Sequence, residues 1–405
     1  MRLSTFMIQQ SGVKSMLDQQ SRLNQTQLQL ASGKRILTPA DDPIGAARAL
    51  DLREESRKYG QYQDNITVAR SRLSMEEATL SGMTDILQRV RELAVRANNS
   101  ATLKAEDKAS IAREVRQALG ELVGLANSKN ANGEYLFSGS NSHTQPYPDS
   151  PTAAEGYYKY QGNDSTRLLQ IGPSRRIADG DPGNRIFESV VTATLQPDTI
   201  TDGGATRPEV QTIPITRLTA GSDYELKVGA LTLATGPLDA DPTLGEIVTA
   251  LQANPAYGSA PFTLSEGTGA DSGKLVITWN ANGNVTDIAR MEKRDNTFSF
   301  IDQFAQALEG TLTGSVIEDS LYALDNAMEN INATRASVGA RLNALEQQFQ
   351  LNEQFVLEME KNLSGIQDLD YTEAISRFNL QQVGLQAAQQ AFIKVQNLSL
   401  FNFLR

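Results

Sequence analysis

The sequence predicts a mainly α-helical protein with a β-rich insertion. Its N- and C-terminal regions form a long antiparallel helical coiled-coil rod, which carries a separate β-rich outer domain. Three observations point there. A seven-residue apolar repeat runs Leu52, Tyr59, Ile66, Leu73, Leu80, Leu87, Ala94, with Tyr62, Ala69, Met83, Val90 and Ala97 in the companion register. A second runs Ile317, Leu324, Ile331, Val338, Leu345, with Leu321, Met328, Leu342, Phe349 and Val356 alongside. The sequence between the two blocks loses the helical period. A strict heptad puts one apolar seam on a long helix, and that seam must be buried against another helix. The two ends therefore meet in space, and the middle is an excursion from them.

The elements follow in order. A first helix spans Thr5 to Ala31, with a seam of Phe6, Val13, Gln20, Gln27 and of Gln9, Met16, Leu23, Leu30. Glutamine at three of those positions makes the seam weak. Ser32-Gly33 stops this helix, glycine suiting a left-handed C-terminal cap. Asp42 reads as an N-cap and Pro43 as the first residue of the next helix, with Asp41 beside them. That second helix runs to Ala97, with Gly45, Gly60 and Gly82 as points where it could bend or break. A third covers Ala105 to Lys129. At Asn130 the pattern changes, and short strands are expected at Glu134–Ser138, Tyr157–Tyr160, Thr166–Ile171 and Arg185–Phe187. From about Ser189 to Arg290 threonine becomes common and Lys/Arg sparse. Tyr224–Leu233 reads as a hairpin about Gly229, Leu244–Gln252 as a short helix, and Pro261–Ser265 and Lys274–Trp279 as strands. Helix returns at Phe298–Leu308 and Val316–Leu363. A last amphipathic helix covers Tyr371–Phe403, with a seam of Tyr371, Phe378, Leu385, Phe392 and of Ala374, Gln381, Ala388, Val395. The final Leu398-Ser-Leu-Phe-Asn-Phe-Leu404 is unusually apolar for a terminus, and something must bury it.

Composition removes whole classes of function. The 405 residues leave room for roughly two to four compact units. A net charge of -11 argues against a nucleic-acid partner. No cysteine is present, which excludes disulfides, thiolate zinc sites and thiol nucleophiles. The one histidine, His143, lies in a Ser/Asn/Pro-rich stretch and reads as solvated. No signal-peptide pattern opens the chain, and no apolar run approaches the ~20 residues needed to cross a bilayer. No phosphate loop, metal-ligand spacing or Ser-His-Asp set is available. The paired acids Asp41-Asp42 and Glu76-Glu77 are adjacent residues, and on a helix neighbours point about 100° apart, so neither is a ready acid/base couple. Capping accounts for the first pair. Glu77 falls on a solvated face, whereas Glu76 interrupts the companion seam. No enzyme activity, cofactor or metal is expected. Polar residues at seam positions (Gln20, Gln27, Glu76, Arg335, Gln381) leave a two-helix seam marginal unless neighbouring subunits add packing surface.

Four segments resemble the flagellin superfamily, and within it the hook–filament junction branch: Leu30-Ala-Ser-Gly-Lys-Arg-Ile-Leu-Thr-Pro-Ala-Asp-Asp-Pro43, Asn132-Gly-Glu-Tyr-Leu-Phe-Ser-Gly139, Tyr160-Gln-Gly-Asn-Asp164 and Arg335-Ala-Ser-Val-Gly-Ala-Arg-Leu-Asn343. The apolar ending Leu398 to Leu404 is similar too. The resemblance covers residues 1–188 and 300–405. Filament flagellins typically have Asn-Ser-Ala and Asp-Asp-Ala where this chain has Leu37-Thr-Pro39 and Asp41-Asp42-Pro43. Tyr224–Trp279 is similar to a β-β-α-β insertion module of flagellar surface domains. The resemblance implies an extracellular structural subunit, exported unfolded by the flagellar type III apparatus without a cleaved signal. Its implied partners are further copies of itself in a ring or helical assembly, the first hook-associated junction protein on the hook side, flagellin on the filament side, and a cytosolic export chaperone on the C-terminal region. Nucleic acid and membrane insertion are not implied. Residues 1–40 with 365–405 would be the terminal, channel-lining domain, using Phe6, Val13, Met16, Leu23, Leu30, Phe378, Leu385, Phe392, Val395, Leu398, Leu400, Phe401 and Phe403. Residues 41–188 with 300–364 would be the rod, with Leu52, Tyr59, Ile66, Leu73, Leu80, Leu87, Ala94, Leu324, Ile331, Val338, Leu342 and Leu345 as core and Asp41, Asp42 and Pro43 as cap. Residues 189–299 would be the β-rich surface domain. A filament flagellin, or an adhesin on a helical stalk, are the alternatives.

Overall fold

The heptad blocks become the two longest helices. In the computed structural model, which describes residues 5–99, 104–151, 157–215, 218, 221–238, 242–311 and 316–401, the helices at the start of the chain are α1 (Thr5–Ser32), α2 (Pro43–Asn98) and α3 (Ala105–Ala126). β1 (Leu168–Gln170) and β2 (Arg176–Ala178) form a small hairpin, followed by the one-turn α4 (Gly183–Phe187). The β-rich stretch holds β3 (Val190–Leu195), β4 (Thr199–Thr201), β5 (Pro208–Pro214), β6 (Asp223–Val228), β7 (Leu231–Ala234), α5 (Leu244–Ala253), β8 (Phe262–Glu266), β9 (Lys274–Asn282) and β10 (Arg290–Asp295). α6 (Thr297–Glu309), α7 (Val316–Gln367) and α8 (Tyr371–Phe401) complete the chain. Gly45, Gly60 and Gly82 do not interrupt α2. A helical glycine costs about 1 kcal/mol against alanine, less than a buried seam on both sides of it returns.

The chain resolves into two units, residues 1–64 with 347–405 and residues 65–346. In the second, α2 and α7 run antiparallel. Arg70 pairs with Glu346 at 2.6 Å, Glu77 with Arg335 at 2.8 Å and Arg91 with Asp325 at 2.6 Å, one number falling as the other rises. Between these flanking pairs Ile66, Leu73, Leu80, Leu87 and Ala94 are buried with Leu324, Ile331, Val338 and Leu345, while Leu342 is half-buried at the edge. α3 and α6 add to this core, and Arg116 forks from α3 to Asp302 and Glu309 of α6. Beside them Phe137, Tyr147, Phe187 and Phe298 pack ring against ring at centroid distances of 4.8 to 6.0 Å.

The β-rich part builds two antiparallel four-stranded sheets, ordered β3-β10-β6-β7 and β4-β5-β9-β8. Alternate residues Tyr224, Leu226 and Val228 of β6 and Leu275, Ile277 and Trp279 of β9 point into a second core with Ile247 and Leu251 of α5. Gly229, at φ 58°, makes the β6–β7 turn that a side chain would strain.

Three expected strands are replaced. Around Glu134–Ser138 the chain bends at Leu136–Ser138, and Leu136 and Tyr135 bond to Ser128 and Ser142 of flanking loops, leaving one bridge, Lys129 to Tyr135. At Tyr157–Tyr160 the amide of Tyr158 bonds to the Ser299 hydroxyl rather than to a strand. Arg185–Phe187 is helical, because Pro182 stands before a turn that closes from Glu188 N to Asn184 O. α3 stops at Ala126, short of Lys129, where the Asn127 side chain instead holds both backbone groups of Tyr147.

The burial difference along the α2–α7 seam gives a test. Leu73→Ala removes a fully buried side chain and should cost about 2–5 kcal/mol. Leu342→Ala, at the half-buried edge, should cost clearly less. Denaturant titration of the two variants measures this; equal losses would mean that Leu73 is not the deeper of the two.

Candidate assembly surface

The first unit holds both terminal helices, and α1 and α8 pack antiparallel. The Thr26 hydroxyl donates to Gln381 Oε1 at 2.8 Å, Gly12 faces the Phe392 ring, and Gly384 faces Gln19. Gly12, Met16, Gln19, Leu23 and Leu30 are half-buried, and Thr26 and Gln29 are buried. Met16, Leu23 and Leu30 were expected in this row. Val13, Gln20 and Gln27 are instead turned outward, Val13 being 42% exposed, and the companion row lies one residue earlier at Gly12, Gln19 and Thr26. The reason is close approach. A Cβ on Gly12 would sit 3.1 Å from Phe392, and one on Gly384 only 2.5 Å from Gln19 Nε2. Small and amide side chains fit this narrow contact, and an apolar-residue pattern does not detect them. From α8, Ala374 is buried and Phe378, Gln381, Leu385, Ala388 and Phe392 are half-buried. The side chains of Phe6, Val395, Leu398, Leu400 and Phe401, and all of Phe403, lie outside the described residues.

The α1–α2 and α7–α8 connections are stitched together. Arg35 N bonds to Gln367 O, Leu369 N bonds to Gly33 O, and Lys34 bridges Asp368. The Arg35 guanidinium donates to Ile366 O and to Asp42. Asp41 accepts from the amides of Thr38 and Leu37 and from the Gln25 side chain, and these bonds, led by that of Thr38, hold its carboxyl below the usual range. Asp42 caps α2 by accepting from Gly45 N at 2.9 Å, the main cause of its own lowered pKa, and Pro43 is the first helical residue. Gly45 is required there, since a Cβ would meet the capping carboxylate at 2.5 Å. Asp370 caps α8 through Thr372 N and Glu373 N.

Where α2 and α7 contribute to this unit, Tyr59 is buried against Phe355, ring centroids 5.4 Å apart. Leu52 is half-buried and lines an open cleft of about 430 Å³ with Leu50, Arg53, Ser56, Met359 and Leu363. Most of the large apolar side chains exposed among the described residues belong to this unit, which has under a third of the chain: Met7, Val13, Leu17, Leu28, Ile44 and Leu50 from the first segment, and Leu351, Phe355, Leu357, Tyr371, Ile375, Leu380, Val383 and Ile393 from the second. Of this outward set, sequence patterning named Val13 and Tyr371, at seam positions, and not the others, which lie off the seams. Among the described residues, no group of acids and histidine is arranged to hold a metal, and no helix is long and apolar enough to cross a membrane.

Comparison with known proteins places the chain in a family. The bacterial flagellin N-terminal helical region matches residues 3–142, and the bacterial flagellin C-terminal helical region matches residues 321–404. Flagellar hook-associated protein 3 of Escherichia coli (strain K12) is 28% identical over 402 residues, covering 99% of both chains. Its namesake in Salmonella typhimurium is 25% identical over 406 residues, covering 100% of both. Flagellin FlaB1 of Treponema pallidum is 37% identical, but over 29% of this chain and 40% of its own. The crystal structure of the flagellar hook-associated protein-3 from Legionella pneumophila shares the fold, with a TM-score of 0.50 at 22% identity over 78% of this chain and 98% of that one. Matched from end to end by hook-associated proteins and only in part by a filament flagellin, the chain belongs to the flagellin superfamily, in its hook-associated protein 3 family.

Proposed function

We propose that this chain, a structural subunit of the flagellar hook–filament junction, polymerises through the unit built from α1, α8 and the adjoining parts of α2 and α7. The apolar surface of that unit is the observation that carries the reading. Burying apolar area is worth about 25 cal/mol per Å², and neighbouring copies supply the surface that one chain lacks. In this reading α1 and α8 line the central channel, the first hook-associated junction protein meets the assembly on the hook side, and flagellin meets it on the filament side. The chain reaches the outside through the flagellar type III apparatus. Before export, the apolar sequence Leu398 to Leu404 is what a cytosolic chaperone would cover. Residues 189–299, most of which fold around the second core although Val190 and Phe298 join the first, form the outward β-rich part, and residues 41–188 with 300–364 the rod.

Two experiments test this. Leu380→Glu with Val383→Glu changes side chains that are 72% and 64% exposed. The monomer's melting temperature should stay nearly constant, while cells carrying the variant should keep hooks and lose filaments. Normal filaments would refute assembly through this face. Replacing Ser189 to Asp295 by a short Gly/Ser linker should leave swimming largely intact. If that variant is exported yet no filament forms, the β-rich part belongs to the joint.

A further inference from the structure

Among the described residues, a buried carboxyl of the second unit makes no ion pair. Glu76 of α2 is 1% exposed, and its Oε1 accepts the backbone N–H of Asp181 at 3.2 Å. Two guanidinium groups, Arg72 and Arg341, act on it, and a third, Arg167, shares the carboxylates of Arg72. Arg72, on the same helix, donates to Glu134 at 2.8 Å and to Tyr135 O, with Asp179 3.9 Å from its Nε. Arg167 donates to Asp179 at 2.8 Å. Arg341, from α7, pairs with Asp181 and donates to Ala178 O. These three cations therefore face three carboxylates (Glu134, Asp179 and Asp181), and the cluster balances only when Glu76 is neutral. The next pair, Glu77 with Arg335, is complete in itself. Space is also filled: a Cβ on Gly180 would lie 3.5 Å from Arg72 Nε and 3.7 Å from Glu76 Oε2.

We propose that Glu76 is a proton-operated latch, which as a neutral acid lets the segment Ala178–Asp181 close over α2 and α7 and as a carboxylate loosens it. An ionised Glu76 would be a buried charge whose nearby cations, Arg72 and Arg341, are already engaged by Glu134 and Asp181, and it would face the Asp181 carboxylate; such a charge is relieved by letting water in. The direction of its titration agrees. Burial, and then the Asp181 charge, push its pKa up from 4.5 to about 8, with Arg341, the Asp181 amide and Arg72 opposing. Between those values the folded chain holds a proton that the unfolded chain has released. The stability it contributes is therefore complete below 4.5 and is lost as pH rises to about 8.

Glu76→Gln keeps an acceptor for Asp181 N–H and cannot ionise. Amide exchange at Asp181, corrected for base catalysis, should lose about tenfold protection in the unsubstituted protein as pH rises from about 7 to about 9.5, and should barely change in the variant. Equal pH dependence in both would overturn the latch. Independently of any substitution, carboxyl carbon NMR of Glu76 in the unsubstituted chain should titrate with a midpoint near 8. A midpoint near 4.5 would overturn it as well.

Discussion

The antiparallel pairing of helices from opposite ends of the sequence is the constraint on which the rest depends. Each unit draws on both ends: residues 1–64 are completed by 347–405, and the second unit sets α2 against α7. A heptad seam on α2 is an exposed apolar stripe until α7 arrives, and no local contact can substitute. The intervening chain must therefore form a loop whose ends are close, and it does so by folding on its own cores. Long-range pairing of this kind is slow to nucleate, because loop closure precedes the contacts that reward it.

The two units use that pairing differently. In the second, large side chains such as Leu73, Leu87, Ile331 and Leu345 are fully enclosed, and ion pairs run along the flank. In the first, the inner contact of α1 with α8 includes Gly12, Gln19, Thr26, Gln381 and Gly384 beside half-buried Met16, Leu23 and Phe392, while Leu17, Leu28, Leu380 and Val383 face outward. A helix pair with its smaller and amide residues inside and many of its larger apolar ones outside has more apolar area to gain from a neighbouring subunit than from itself. Asp42 fixes where α2 begins and Asp370 where α8 begins, and Asp41 holds the turn before α2, so the outward surface is presented on defined elements.

What the sequence made legible follows from this physics. The heptads of α2 and α7 and the Asp42-Pro43 start were readable, because large apolar residues at a fixed period and a capping acid before proline each have one local meaning. The α1 register was not, because its companion row of glycine, glutamine and threonine carries no hydrophobic signal. β10 was invisible for a similar reason. Arg290-Met-Glu-Lys-Arg-Asp295 has one apolar residue in six, yet it is an inner strand whose charges are matched across the sheet by Lys227 to Glu292 and Glu225 to Arg294. Glu76 was recognisable as an interruption of a seam. That it accepts the backbone N–H of Asp181, itself paired with Arg341, depends on long-range folding that no pattern encodes.

The central claim is that the outward apolar face of the first unit becomes buried between copies. The chain has no cysteine, so a single Leu380→Cys substitution gives one reporter thiol. Its rate of alkylation by a maleimide should be that of an exposed thiol in the monomer and should fall by orders of magnitude on assembly. An unchanged rate in the assembled polymer would contradict the account.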